Sequence, residues 1–151
     1  PVRAVQMLDR IIRDAEMMPA PGVVVHGTHV LGGHGRAIGE AAVTLAERSD
    51  AVAIVAVTRG GKTARLLSAL RPRAPIYGAT DRVEVSRNLA LSWGAVPVLT
   101  DVGGDVNEAA GRIGAMLVDR GDIPSSSVIV LVSITPDLAP GPSNFLKLQR
   151  V

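Results

Sequence analysis

The sequence predicts a three-layer α/β/α domain on a mostly parallel, five-stranded mixed sheet whose last strand runs antiparallel, and three observations predict it. Hydrophobic residues make up 47% of the 151-residue chain, yet it holds one Trp, one Tyr and one Phe, so the core must be aliphatic. An aliphatic core of Val, Ala, Leu and Ile suits a sheet covered by helices on both faces. From residue 51 onward, short apolar runs alternate with stretches of helical periodicity, the pattern of βαβ units. The final segment breaks that rhythm: no crossover helix separates it from the run before it, so it must pair antiparallel.

The elements follow in order. Pro1 to Glu16 reads as an amphipathic helix, with Val5, Leu8, Ile11, Ile12 and Ala15 on one face. Pro1 fits the first helical position, where a missing N–H costs nothing. The chain starts inside this helix without an initiator Met, so we read residues 1–16 as the end of a preceding unit. Residues 17–35, rich in Pro and Gly and holding Val23-Val24-Val25, read as a linker with room for one short strand. The α/β domain then covers 36–151, opening with a helix from about Arg36 to Arg48. Ala51 to Val57 is a buried strand, and Lys62-Thr63 open a helix that runs to Leu70. Pro75 to Ala79 is a second strand. Asp81-Arg-Val-Glu84 has capping-box spacing and predicts a helix to Trp93. Ala95 to Leu99 is a third strand. Asp105-Val-Asn-Glu108 is another capping box, before a helix with Val106, Ala109, Ala110, Ile113 and Leu117 inward. Ser127 to Val132 is the fourth strand, and the loop Pro136–Pro142 leads to Phe145–Val151, an alternating edge strand with one wet face.

Composition excludes several function classes. Sixteen basic and 14 acidic residues leave a net charge of +2 with no basic run, and exposed aromatic platforms are missing, so nucleic acid has no footprint here. Without cysteine there are no disulfides or thiolate metal sites, which fits a reducing, cytoplasmic setting. No stretch reaches the length of a membrane span, and no signal peptide is visible.

The chemistry-bearing stretch is Ala51–Ala64. A buried strand feeds a short glycine loop into a helix N-terminus, so backbone N–H groups, a favourable dipole, a lysine and two hydroxyls converge on one point. Thr58, Arg59, Gly60, Gly61, Lys62 and Thr63 form a candidate phosphate cradle, with Lys62 as a point charge and Arg59 as a planar fork. Gly61-Lys62-Thr63 match the second half of a P-loop, but Ala56 stands at its first glycine, and the short loop suits one phosphate better than a triphosphate. A tight β–α turn with a solvated lysine is the other reading of the same spacing. Gly33-His-Gly35-Arg-Ala-Ile-Gly39 loosely echoes a dinucleotide fingerprint, with one residue too many before its last glycine. His26, His29 and His34 lie close in sequence without an acidic companion, so we assign no metal. Asp101 and Asp105 bracket Gly103-Gly104, and capping accounts for Asp105. No catalytic constellation is visible.

Four ordered blocks identify a resemblance. Pro1–Ile11, Thr58–Ser68 with Arg71–Ile76, Leu89–Gly94 and Gly141–Lys147 resemble the C-terminal domain of pyruvate kinases, preceded by the helix that closes their catalytic barrel. The resemblance implies a role in tetramer assembly, and a loop, Thr58–Thr63, where many members hold the phosphate of an allosteric effector. That effector would be fructose 1,6-bisphosphate, a sugar monophosphate, or, in a reduced site, inorganic phosphate or sulfate. It further implies that Ala139, Pro140, Gly141, Pro142 and Ser143 close over the ligand. Gly60 stands where the family commonly has Ser or Thr, and Ser133–Pro136 lacks the glycine usual before the effector loop. The family's catalytic lysine, its Mg2+ carboxylates and its K+ site lie in the barrel, outside these residues. The resemblance therefore implies a parent that transfers phosphate from phosphoenolpyruvate to ADP in glycolysis, and a chain that regulates or assembles it, with no cofactor and no turnover of its own. An assembly module without an effector, or a small nucleotide-binding enzyme, are the alternatives.

Overall fold

A computed structural model describes residues 1–17, 32–135 and 144–151. Its elements run α1 (Val2–Met17), α2 (Gly32–Arg48), β1 (Ala53–Val57), α3 (Lys62–Leu70), β2 (Ile76–Thr80), α4 (Val83–Leu89), β3 (Ala95–Leu99), α5 (Val106–Asp119), β4 (Val128–Ser133) and β5 (Phe145–Arg150). The Val23–Val25 run, His26, His29 and the loop 139–143 lie outside the described residues.

The sheet order is β3-β2-β1-β4-β5, with β4 and β5 the antiparallel pair and the other neighbours parallel. This is the mixed five-stranded sheet with a terminal antiparallel edge that the sequence predicts. Alternate strand residues feed two aliphatic layers, as the pleat requires. Ile54, Ala56, Ile76, Val130 and Val132 pack against α2, α3 and α4 through Ala42, Ala46, Leu66, Leu67 and Leu89. On the other face Val55, Tyr77, Ile129 and Leu131 meet α5 through Ala110, Ile113 and Leu117.

Two helices differ from their sequence expectation. α2 begins at Gly32 rather than near Arg36, so His34 and Gly35 are helical. Packing overrides the low helix propensity of glycine here. A Cβ at Gly39 would stand 2.9 Å from Leu66 Cδ2, so the glycine permits the close approach of α2 to α3. α4 is shorter than expected, and its N-cap is Arg82, with no side-chain cap from Asp81. Thr80 Oγ1, at the end of β2, accepts the Arg82 N–H at 3.3 Å, and the helix starts one residue later than its box predicts. By contrast Asp105 caps α5 as its box predicts, accepting from the N–H groups of Asn107 and Glu108 at 2.8 and 3.4 Å.

α1 stands apart: every residue in it is exposed, including Val5, Leu8, Ile11 and Ile12. Glu16 Oε1 accepts a hydrogen bond from Trp93 Nε1 at 2.7 Å, and Arg71 lies over the Trp93 ring, 4.8 Å from its centroid.

Candidate functional site

The chain winds from β1 out to β2 and β3, then returns across the sheet to β4 on the other side of β1. The connections after β1 and β4 therefore part company, and open a crevice at the carboxyl ends of those strands. Such a switch point is where open α/β sheets hold ligands. A cavity of about 360 Å³ occupies it.

Three short segments build its walls. The first is the end of β1 and the loop after it: Val57, Thr58, Arg59, Gly60 and Lys62. Thr58 Oγ1 accepts the Gly61 N–H at 2.9 Å, which curls the loop into α3. Gly61 is the N-cap of α3 at φ +77°, and no side chain caps the helix. A left-handed φ suits glycine, and a Cβ there would crowd Arg65, Val85 and Leu89 at 3.1–3.4 Å. The first intrahelical bond runs from Arg65 N–H to Gly61 O at 3.0 Å. The N–H groups of Lys62, Thr63 and Ala64 are thereby left without intrahelical acceptors, at the positive end of the helix dipole.

The second wall is the end of β4, Ser133, Ile134 and Thr135, with Phe145 from β5. Thr63 ties this wall to α3: its hydroxyl donates to Ile134 O at 3.3 Å and accepts from Ile134 N–H at 3.4 Å. Asn144 Oδ1 accepts from Thr135 N–H at 2.5 Å and from its hydroxyl at 3.1 Å, which joins the two described ends of the β4–β5 connection. The third wall, Val102, Gly103, Gly104 and Val106, comes from the loop between β3 and α5. Asp101 Oδ1 accepts the Gly103 N–H at 2.8 Å, and Arg112 donates to Gly103 O at 2.9 Å. The two helix N-termini at this cavity differ. The N-terminus of α5 is capped by Asp105, whose carboxyl is held below the usual carboxylate range by the Asn107 and Glu108 N–H groups. The N-terminus of α3 has no carboxylate of its own.

Of the cradle residues read from sequence, Thr58, Arg59, Gly60 and Lys62 line the cavity. Gly61 and Thr63 stand behind it, Thr63 only 1% exposed and bonded to Ile134. Sequence reasoning did not include Val102–Gly104, Val106 and Phe145, although the Asp101–Asp105 bracket around two glycines marks that loop. Gly33–Gly39 lies inside α2, so it makes no strand–loop–helix turn. His34 Nε2 sits 3.1 Å from Thr135 O, and among the described residues no three His, Asp or Glu side chains gather as a metal set. None of the described helices is long and apolar enough to cross a membrane. A wider depression of about 530 Å³ opens by Glu47, Asp50 and Arg73. It lies at the amino ends of the strands, without a glycine loop or helix N-terminus, so the β1–β4 crevice is the stronger candidate.

Residues 36–149 match the family described as pyruvate kinase, alpha/beta domain. The chain is 33% identical over 108 residues to a pyruvate kinase of Clostridium acetobutylicum, covering 72% of this chain and 23% of that one. It is 31% identical over 157 residues to one of Mycobacterium intracellulare, covering 100% of this chain and 32% of that one. A solved structure of Cryptosporidium parvum pyruvate kinase in complex with ADP superposes with a TM-score of 0.68 at 26% identity, covering 96% of this chain and 27% of that one. The chain thus spans a third or less of the length of these relatives.

Proposed function

Given that the chain belongs to the pyruvate kinase family, as its C-terminal α/β domain, we propose that it binds a phosphorylated effector in the β1–β4 crevice and regulates a larger enzyme. That parent would transfer phosphate from phosphoenolpyruvate to ADP, with Mg2+ and K+ bound in its barrel, in the cytoplasm. The observation that carries this reading is the α3 N-terminus. It has no side-chain cap, it faces a cavity, and Lys62 and Arg59 flank it. Free N–H groups, dipole and cations all favour a dianion at that point. Coupling to a catalytic unit would follow from differential affinity of the effector for two arrangements of the assembly.

Isothermal titration of the 151-residue chain with glucose 6-phosphate tests the site. Heat is expected, and Lys62→Ala should weaken binding by about tenfold, the scale of one charge-assisted contact. Because Lys62 is exposed, the variant should keep the parent's melting temperature. A Lys62→Ala protein that binds as well as the parent, or that unfolds, would remove Lys62 from the site.

We also propose a role in assembly, which β5 supports. It is an edge strand, Leu146 and Leu148 on it are exposed, and Leu146 lies beside Ala37 and Ala41 of α2. An open edge with exposed leucines is suited to pairing with another chain.

A further inference from the structure

Resting on the assembly role proposed above, we infer that β5 pairs antiparallel with β5 of a second copy about a two-fold axis at Leu148, and that the sheet cannot extend at its other edge. An edge strand turns the N–H and C=O groups of alternate residues toward its neighbour and the rest outward. In β3 the residues facing β2 are even-numbered: Gly94 O accepts the Ile76 N–H at 3.0 Å, and Thr100 N–H donates to Thr80 O at 2.9 Å. Ala95, Pro97 and Leu99 therefore point their backbone groups away from the sheet. Pro97 has no N–H to give, and the Ala95 N–H is already given to Ser92 O at 3.2 Å. Leu99 is the one outward donor that β3 can offer, too little for a ladder, and the Pro97 ring stands in the middle of the edge.

β5 is the reverse case. Val151 N–H donates to Ser127 O at 3.0 Å, and the register Ile129↔Gln149, Leu131↔Lys147 and Ser133↔Phe145 carries that odd-numbered set along the strand. The Val52 N–H on Val128 O at 2.9 Å agrees, since it turns the even residues of β4 toward β1. Leu146, Leu148 and Arg150 thus present both N–H and C=O outward, and none of them is proline. This edge is complementary to itself. An antiparallel pair centred on Leu148 sets Leu148 opposite Leu148 of the second copy and Leu146 opposite Arg150, so every outward group of both strands is bonded. Moving the axis one residue loses bonds at one end, and toward the start of β5 it sets Lys147 against Lys147 of the second copy, like charges directly opposed. Leu148 stands opposite Val130 in the register, on the α2 face of the sheet, and is 44% exposed. A leucine pair across the axis takes that surface out of water. An open chain of sheets would need β5 to meet β3 of the next copy, and β3 lacks the donors. Growth of the sheet therefore closes at two copies, with Pro97 guarding both ends.

The chain has no cysteine, so single cysteines report this geometry directly. A hydrogen-bonded antiparallel pair holds its Cα atoms about 5.5 Å apart, inside the range of about 4.4–6.8 Å that a disulfide spans. Leu148→Cys should therefore oxidise to a covalent dimer. Leu146→Cys, whose two copies stand roughly 14 Å apart in this register, should run as a monomer on a non-reducing gel, and so should Leu99→Cys at the β3 edge. All three side chains are exposed, so the fold should survive each change. A parent that sediments as a dimer, while Leu148→Cys fails to bridge or Leu146→Cys bridges as readily, overturns the register and leaves the assembly role standing. Bridging of Leu99→Cys overturns the closed β3 edge. A parent that stays monomeric at high concentration overturns the assembly role and this inference together.

Discussion

Two adjacent glycines in the cradle have opposite roles. Gly61 holds φ +77°, and a Cβ there would come within 3.1–3.4 Å of Arg65, Val85 and Leu89, whereas a Cβ at Gly60 would meet nothing within 4 Å. Gly61→Ala should therefore destabilise the chain by about 1–2 kcal/mol, the cost of forcing an L-residue into the left-handed region. Gly60→Ala should stay within about 0.5 kcal/mol of the parent. Urea unfolding of the two variants checks the pair, and equal losses would mean that the turn is not under conformational constraint. The same contrast shows what is legible residue by residue. From spacing alone, strand, glycines and Lys62-Thr63 suggest a candidate anion site, with a plain β–α turn and a solvated lysine as the other reading. Spacing is silent on the direction each hydroxyl takes. Thr58 and Thr63 look alike in sequence, but the Thr63 hydroxyl both donates to and accepts from Ile134, whereas Thr58 Oγ1 accepts the Gly61 N–H and retains its own proton to donate.

Elements were legible where one signal dominated. The β1, β2, β3 and β4 runs are short and mostly apolar, and each strand lies within two residues of its predicted ends. Asp105 caps α5 where its spacing predicts, accepting from the Asn107 and Glu108 N–H groups. Asp81 has the same spacing but does not cap, because α4 starts one residue later with Arg82 in the N-cap position. The start of α2 was hidden because four glycines and a histidine between residues 32 and 39 argue against a helix, and only contact with α3 reverses that. β5 carries the prediction at this scale. Its outer leucines, Leu146 and Leu148, are 37% and 44% exposed, so Leu148→Lys alters an edge and not a core. If β5 assembles copies of the chain, sedimentation velocity should show a dimer or larger species for the parent and a monomer for Leu148→Lys, with both folded. A parent that stays monomeric at high concentration would end the assembly reading.

At the scale of the whole molecule, the order β3-β2-β1-β4-β5 decides where function can sit, because it separates the β1 and β4 loops. The sequence pointed to the carboxyl ends of the strands, but it could not show that the β3–α5 loop bends over to complete the cavity. That closure depends on Asp101 and Arg112 meeting Gly103, contacts that no local pattern encodes. The topology also puts the two ends of the sheet to different uses, and Trp93 lies at the amino end, just before β3. It is the sole tryptophan of the chain, bonded to Glu16 of α1 and covered by Arg71. The protein thus carries an intrinsic optical reporter. Ultraviolet emission should change when Glu16→Ala frees the indole from α1, and should stay dark to ligand at the opposite end of the sheet. A phosphate-induced change in that emission would mean that the two ends communicate.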